Sequence, residues 1–252
     1  MLSRDPDRAA AALRQVRAVA APNVAVSALT ADLSSVREAR RAADEVKRQA
    51  TRLDVLVNCA AVIPKRRELT AEGFELAFAT NVLAPVVLVH QLREQLAVAA
   101  PSRVVNFYGG NERAFDIEDL QSEKGRYDGW RAYGRSKLMV ALITIELARR
   151  MMAAGVTVNA AWPGIVNTEG IRAMTGPMGL LTLLMRPIMR SPEQGARTPL
   201  WLATAPELER VSGKVFGSFS GDGKKELTVP EPARDLEAAT RLYETCERLA
   251  GP

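Results

Sequence analysis

Three short runs, residues 53–57, 103–108 and 156–161, are rich in Val, Leu and Ala, and helical stretches of ten or more residues separate them. A strand that is apolar on both sides is covered on both sides, which is the condition of a parallel strand with helices above and below it. Tight hairpins cannot join such strands, because parallel neighbours need a crossover of a dozen residues or so. The alternation therefore constrains the chain to a doubly wound α/β fold with a parallel, Rossmann-like sheet.

The remaining segments fit that frame. Asp5-Pro6 starts a helix over residues 6–20, with an acid at the cap and proline in the first turn. Residues 23–29 alternate and read as a strand, and Ser35-Val36-Arg37-Glu38 opens a helix that runs to about Ala50. Thr70 caps a helix toward Thr80, a second helix covers 81–98, and the helix over 130–152 follows a polar loop. Ser191-Pro192-Glu193-Gln194 opens another capped helix, residues 214–219 form a last strand, and residues 232–249 a closing helix. No repeat or low-complexity linker divides the 252 residues, so one domain over residues 1–252 is expected.

Composition narrows the chemistry. His90 is the single histidine and sits in an apolar run, so a histidine-clustered metal site is excluded and a structural role is expected for it. The two cysteines, Cys59 and Cys246, lie far apart and read as reduced thiols of a cytoplasmic protein. The net charge of +5 comes from arginines mixed with acids along the helices, a solvated surface rather than a nucleic-acid stripe. The N-terminus turns charged at once and no apolar run reaches the 18 or so residues of a membrane span, so neither a leader nor a membrane partner is expected.

Tyr133-Gly134-Arg135-Ser136-Lys137 carries the clearest chemical signal. Residues four apart share a helix face, so a phenol and an ammonium stand side by side. A nearby cation favours phenolate and lowers a pKa of about 10, which suits a proton donor to a carbonyl or acceptor from an alcohol. Asp32, Asn58-Cys59-Ala60-Ala61 and Pro163-Gly164-Ile165-Val166-Asn167-Thr168 each follow a strand, at the carboxyl ends where open parallel sheets bind ligands.

With these features and Asn81 at a helix start, the chain resembles the short-chain dehydrogenase/reductase superfamily, and within it the retinol-dehydrogenase-like branch. Ser122-Glu123-Lys124, Trp130 through Leu138 and Glu146-Leu147-Ala148-Arg149-Arg150 carry the branch resemblance. It implies a nicotinamide cofactor and a small carbonyl or alcohol substrate, with Tyr133 as acid/base. Lys137 would hold the nicotinamide ribose and Asn81 would anchor a proton-relay water. Asp32 would contact the adenine, Asn58 and Ala60 would line the adenosine side, and Pro163 and Thr168 would flank the nicotinamide. Arg4 matches a position that favours a 2′-phosphate, which implies NADP(H) and leaves NAD open. Homodimers through the helices of Asn81 and Tyr133 are common in that superfamily, so the resemblance also implies a homodimer as one arrangement.

Two departures accompany the resemblance. The family's first strand, Gly-rich turn and first helix, roughly one βαβ start of 30 residues, are expected to be missing, an N-terminal truncation of the fold. Strand 24–29 would then have to pair directly with strand 53–57 or leave the sheet unpaired. The spacing Gly217, Gly221, Gly223 imitates the Gly-rich turn but follows the last strand and reads as a terminal turn. The family's serine pair is replaced by Tyr108 and Gly109, so the donor to the substrate oxygen falls to Tyr108, to Asn111 or to nothing. Two functions follow: a carbonyl–alcohol oxidoreductase with a Met-rich lid over residues 174–189, or a non-catalytic pseudoenzyme that binds a partner.

Overall fold

The computed structural model describes residues 1–109, 114–168, 176–218 and 221–251. The chain begins with β1 (Leu2–Ser3), α1 (Pro6–Val19), β2 (Leu29–Thr30) and α2 (Val36–Gln49). It continues with β3 (Val55–Asn58), the long helix α3 (Leu76–Val98) and β4 (Ser102–Phe107). Next come α4 (Gly129–Met151), β5 (Val156–Trp162), α5 (Gly176–Met185), α6 (Pro192–Thr204), β6 (Val215–Gly217) and α7 (Leu236–Ala250).

All strand pairs among these elements are parallel: β3, β4, β5 and β6 adjoin in that order, and β1 pairs with β2 in a separate two-stranded sheet. Helices cover both faces. Val104 packs with Phe78, Leu83, Leu142, Ile143 and Leu242 from α3, α4 and α7, whereas its neighbour Val105 packs with Leu202, Ala205 and Phe216 on the α6 side. Period-two alternation thus feeds two cores from one strand. The residues of β5 are buried through Ala161, while β3, at the edge, leaves Val57 45% exposed.

The helix starts follow their capping chemistry. Asp5 accepts from the Asp7 and Arg8 amides, Asp128 from those of Trp130 and Arg131, and Asp235 from those of Glu237 and Ala238. Ser191 and Gln194 form a reciprocal capping box at α6. By length and composition α3 could cross a membrane, but 72% of its apolar window is buried inside the protein, as in a core helix.

Three local expectations change. The strand over 23–29 shrinks to Leu29–Thr30, because its partner supplies only Leu2–Ser3 for pairing; it does not pair with β3. Thr70 caps a turn rather than a helix: its hydroxyl accepts from the amides of Glu72 and Phe74. Helix α3 starts at Leu76, where the Glu75 carboxylate accepts from Ala77 and Phe78. The last strand stops at Gly217 and turns back as a hairpin, with Leu227 donating to Val215 and Gly217 to Lys225. The Gly217–Gly221–Gly223 spacing therefore serves a turn, as its sequence context suggested. Met174 and Asn111 lie outside the described residues.

Candidate active site

Asn58, Phe107 and Trp162 stand at the carboxyl ends of three adjacent strands, and α4 brings Tyr133 and Lys137 over that edge. The helix can approach because Gly129, in its first turn, has no side chain: a Cβ there would fall 1.7 Å from the Pro64 carbonyl oxygen. Trp130 meets the Tyr133 ring edge to face, with centroids 6.2 Å apart, and braces it.

Lys137 is 3% exposed, and its Nζ lies 5.5 Å from the Tyr133 ring centroid. That Nζ donates to the Phe107 carbonyl oxygen at 2.8 Å. Desolvation lowers the Lys137 pKa to about 8, opposed by the Cys59 sulfur. Burial also raises the Tyr133 phenol above its ordinary value. The sequence led us to expect the reverse for Tyr133, and the difference is physical: the ammonium is itself desolvated and turned to a backbone carbonyl. The pair alone leaves Tyr133 protonated at neutral pH, the form that donates.

Asn81 sits within a π-helical turn, Ala79–Leu83, inside α3; such turns are frequent at functional sites. Its side chain donates to Ser136 Oγ at 2.9 Å and to the Val62 carbonyl at 3.1 Å, and it accepts from the Val62 amide at 2.8 Å. It thereby ties α3, the loop after β3 and α4 together. Asn58 donates to Asn106 Oδ1, and Asn106 donates to Thr144 Oγ1, each at 2.9 Å. This buried chain fixes the ends of β3 and β4 against α4.

The remaining expected residues are more dispersed. Ala60 is exposed just beyond Asn58, Pro163 is half-buried beside Gly164, and Thr168 lies exposed farther along that loop. Arg4 and Asp32 stand at the ends of β1 and β2, in the other sheet. Arg4 is exposed, and one Asp32 carboxylate oxygen is taken by the Ser34 amide at 2.9 Å. His90 bridges Glu247 of α7 and Arg93, away from this group.

Gly109 lies at the heart of the site. A Cβ built on it would fall 3.6 Å from the Tyr133 hydroxyl, so the position faces the phenol as the serine reading required. Its φ is not positive, so no backbone constraint demands glycine there. The Tyr108 side chain packs against the Leu138, Ala160 and Val215 cluster. The sequence reading missed Trp162, Ser136 and Asn106. Trp162 was visible as the last strand residue before Pro163-Gly164, but its nearness to Gly109 depends on the β4–β5 register.

These residues fit a nicotinamide nucleotide at one end. An ammonium has three donors, and Lys137 spends one on Phe107 while sealed from water. Lys137 has that one hydrogen-bond partner among the described residues, and its two other N–H donors suit adjacent hydroxyls of a ribose. At the other end, the described residues contain no glycine-rich turn leading into a helix that could hold a pyrophosphate.

The sequence profile described as short chain dehydrogenase matches residues 1–176. Retinol dehydrogenase 13 of Mus musculus is 36% identical over 98% of this chain and 75% of its own length. Retinol dehydrogenase 12 of Homo sapiens is 38% identical over 86% of the chain and 68% of its own length. Among solved structures, an uncharacterized protein from Mycobacterium paratuberculosis aligns with a TM-score of 0.74 at 27% identity, over 99% of this chain and 82% of that one.

Proposed function

The chain belongs to the short chain dehydrogenase family, in its retinol-dehydrogenase-like branch, and from that premise we propose that it is a nicotinamide-dependent oxidoreductase interconverting a carbonyl and an alcohol on an apolar small molecule. The observation that carries the reading is the buried Lys137 ammonium, with one hydrogen-bond partner among the described residues, beside a Tyr133 hydroxyl that faces the side-chain-free Gly109. When bound, the nicotinamide supplies or accepts the hydride at the carbonyl carbon. In the reducing direction Tyr133 gives its phenolic proton to the substrate oxygen as that oxygen gains charge, and the burial that keeps it protonated suits this role. Lys137 orients the ribose and feeds positive charge toward the phenolate that forms. Asn81 holds α3 and α4 in register and would anchor the relay water that serves Lys137.

Arg4, exposed and in no salt bridge among the described residues, supports NADP(H) over NAD(H) through a 2′-phosphate, with Asp32 toward the adenine and Asn58 and Ala60 toward the adenosine. Pro163 and Thr168 flank the nicotinamide. Exposed Leu183, Leu184 and Ile188 support an apolar substrate. Helix α7 lies across α4 and α3, which favours a monomer over a homodimer formed through those two helices.

The test separates proton transfer from binding. Tyr133→Phe should abolish turnover and leave NADPH affinity within about twofold, since only the proton is lost, while Lys137→Ala should weaken both. NADPH fluorescence titration of the two variants reads this directly, and equal loss of binding in both would refute the assignment. The second reading, a non-catalytic relative, rests on the missing hydroxyl at Gly109. It predicts full cofactor binding with no turnover of any carbonyl.

A further inference from the structure

Strand β5 ends at Trp162, and the loop over residues 163–168 leaves it next to the Tyr133 site, since Trp162 and the Tyr133 hydroxyl both border Gly109. The pairing with β6 stops at the same point, with Trp162 opposite Gly217. What holds the loop from there on is Arg190, the residue before the Ser191 cap of α6. Its amide donates to the Ile165 carbonyl at 2.8 Å, and its carbonyl accepts from the Asn167 amide at 2.9 Å, a parallel bridge centred on Val166. Its guanidinium donates from Nη1 to the Ser218 carbonyl at 2.8 Å and from Nη2 to the Gly221 carbonyl at 3.1 Å. One residue therefore joins the loop after β5, the start of α6 and the chain beyond β6.

Two glycines make room for this junction. Gly164 has a φ of 78°, and a Cβ on it would fall 2.8 Å from Arg190 Cδ. Gly195, near the start of α6, lets the loop lie close on that helix, because a Cβ there would fall 2.6 Å from Val166 Cγ2. Arg190 is 6% exposed and among the described residues its guanidinium meets main-chain carbonyls and no carboxylate. Desolvating a guanidinium costs stability, and carbonyl dipoles return less than an opposite charge would. The gain is geometric: a rigid planar fork fixes two carbonyls at defined places relative to the loop.

We propose that Arg190 is a positioning residue: it ties the loop over residues 163–168 to the chain beyond β6, and so sets where the nicotinamide end of the cofactor lies relative to Tyr133. The proposal rests on the reading above, in which Pro163 and Thr168 flank the nicotinamide. Arg190 acts through the loop and needs no contact with cofactor or substrate. Replacing its side chain leaves the main-chain bonds to Ile165 and Asn167 in place and removes the tie to Ser218 and Gly221. The adenosine-side residues Asp32, Asn58 and Ala60 follow other strands, β2 and β3, so the fault is confined to the nicotinamide end.

The experiment compares Arg190→Met, Arg190→Lys and Gly164→Ala with the native chain. Each is titrated with NADPH, which reaches both ends of the site, and with adenosine 2′,5′-bisphosphate, which reaches the adenosine end alone. Turnover of an electron-poor aromatic aldehyde at saturating NADPH is measured beside them. We expect Arg190→Met to lower NADPH affinity about tenfold and kcat about 100-fold, with affinity for the bisphosphate within about twofold. Arg190→Lys, which keeps the charge without the fork, should lose less than Arg190→Met. Gly164→Ala, which crowds the stem of Arg190, should reproduce the fault with Arg190 present. Native-like NADPH affinity and kcat in Arg190→Met overturn the proposal, and so does an equal loss of affinity for both ligands. Should Arg190→Met fail to fold, Arg190→Lys and Gly164→Ala decide on the same criteria. A native chain that binds NADPH and reduces no aldehyde refutes the carbonyl reading, and the contrast between the two ligands then decides the role of Arg190 alone. A native chain that binds neither ligand overturns both.

Discussion

Lys137 is nearly closed off from water, and its proton is correspondingly loose, with a pKa of about 8. A ligand that accepts hydrogen bonds from the ammonium favours the charged form and raises that pKa on binding. Affinity should therefore be flat below about pH 7.5 and fall as pH rises through 8, by about tenfold between pH 7 and 9. NADPH titrations across that range check this, and Lys137→Arg, which stays charged, should remove the slope. A pH-independent affinity in the native chain would mean that the ammonium does not touch the cofactor. The Tyr133–Lys137 pairing was legible in the sequence because helix periodicity alone creates it. The direction of the Tyr133 shift was not, because it depends on how deeply α4 buries both groups. The Gly109–Trp162 contact was hidden for a related reason: it joins residues of two strands through a register that neither strand reveals alone.

Helix α7 shows what an added element can do to a surface. Leu242 and Cys246 are fully buried against the core that α3 and α4 share. Arg150 of α4 pairs with Glu244 and Glu247 and stacks on Tyr243, and Thr240 donates to Glu146. Leu242→Ala should cost about 2–5 kcal/mol, read by urea unfolding, because it opens a cavity in this layer. Sedimentation of the native chain should give a monomer; a dimer that persists with α7 docked would show that association uses another face. Capped helices such as α1, α4, α6 and α7 were readable because Asp5, Asp128, Ser191 and Asp235 act within a few residues of themselves. The strand over 23–29 misled for the opposite reason, since a strand exists only to the extent that its neighbour does. Thr70 misled because a threonine that gathers amides starts a turn as readily as a helix.

At the scale of the whole molecule the sheet has an open side. Val57 is 45% exposed on β3, and that strand pairs only with β4 among the described strands, while β1 and β2 pair apart from it. The same described residues lack a pyrophosphate cradle. A strand, glycine-rich turn and helix from a related dehydrogenase, fused ahead of Met1, should supply both. NADPH should then bind at least about tenfold tighter, equivalent to 1.4 kcal/mol, with a higher Tm. Equal affinity and equal Tm in the fusion would show that β3 needs no further partner. The parallel α/β class was legible throughout, because apolar strands spaced by long helices admit little else. The split of the sheet was not, because it depends on which strands find neighbours. The central claim, that the Tyr133 site moves a hydride and a proton, is tested most directly by following deuterium from NADPH labelled at the transferred position. At saturating cofactor the native chain should convert an aldehyde to an alcohol carrying one deuterium on the carbinol carbon, and Tyr133→Phe should form none. An unlabelled product, no product from the native chain, or equal product from the Phe variant would contradict the account.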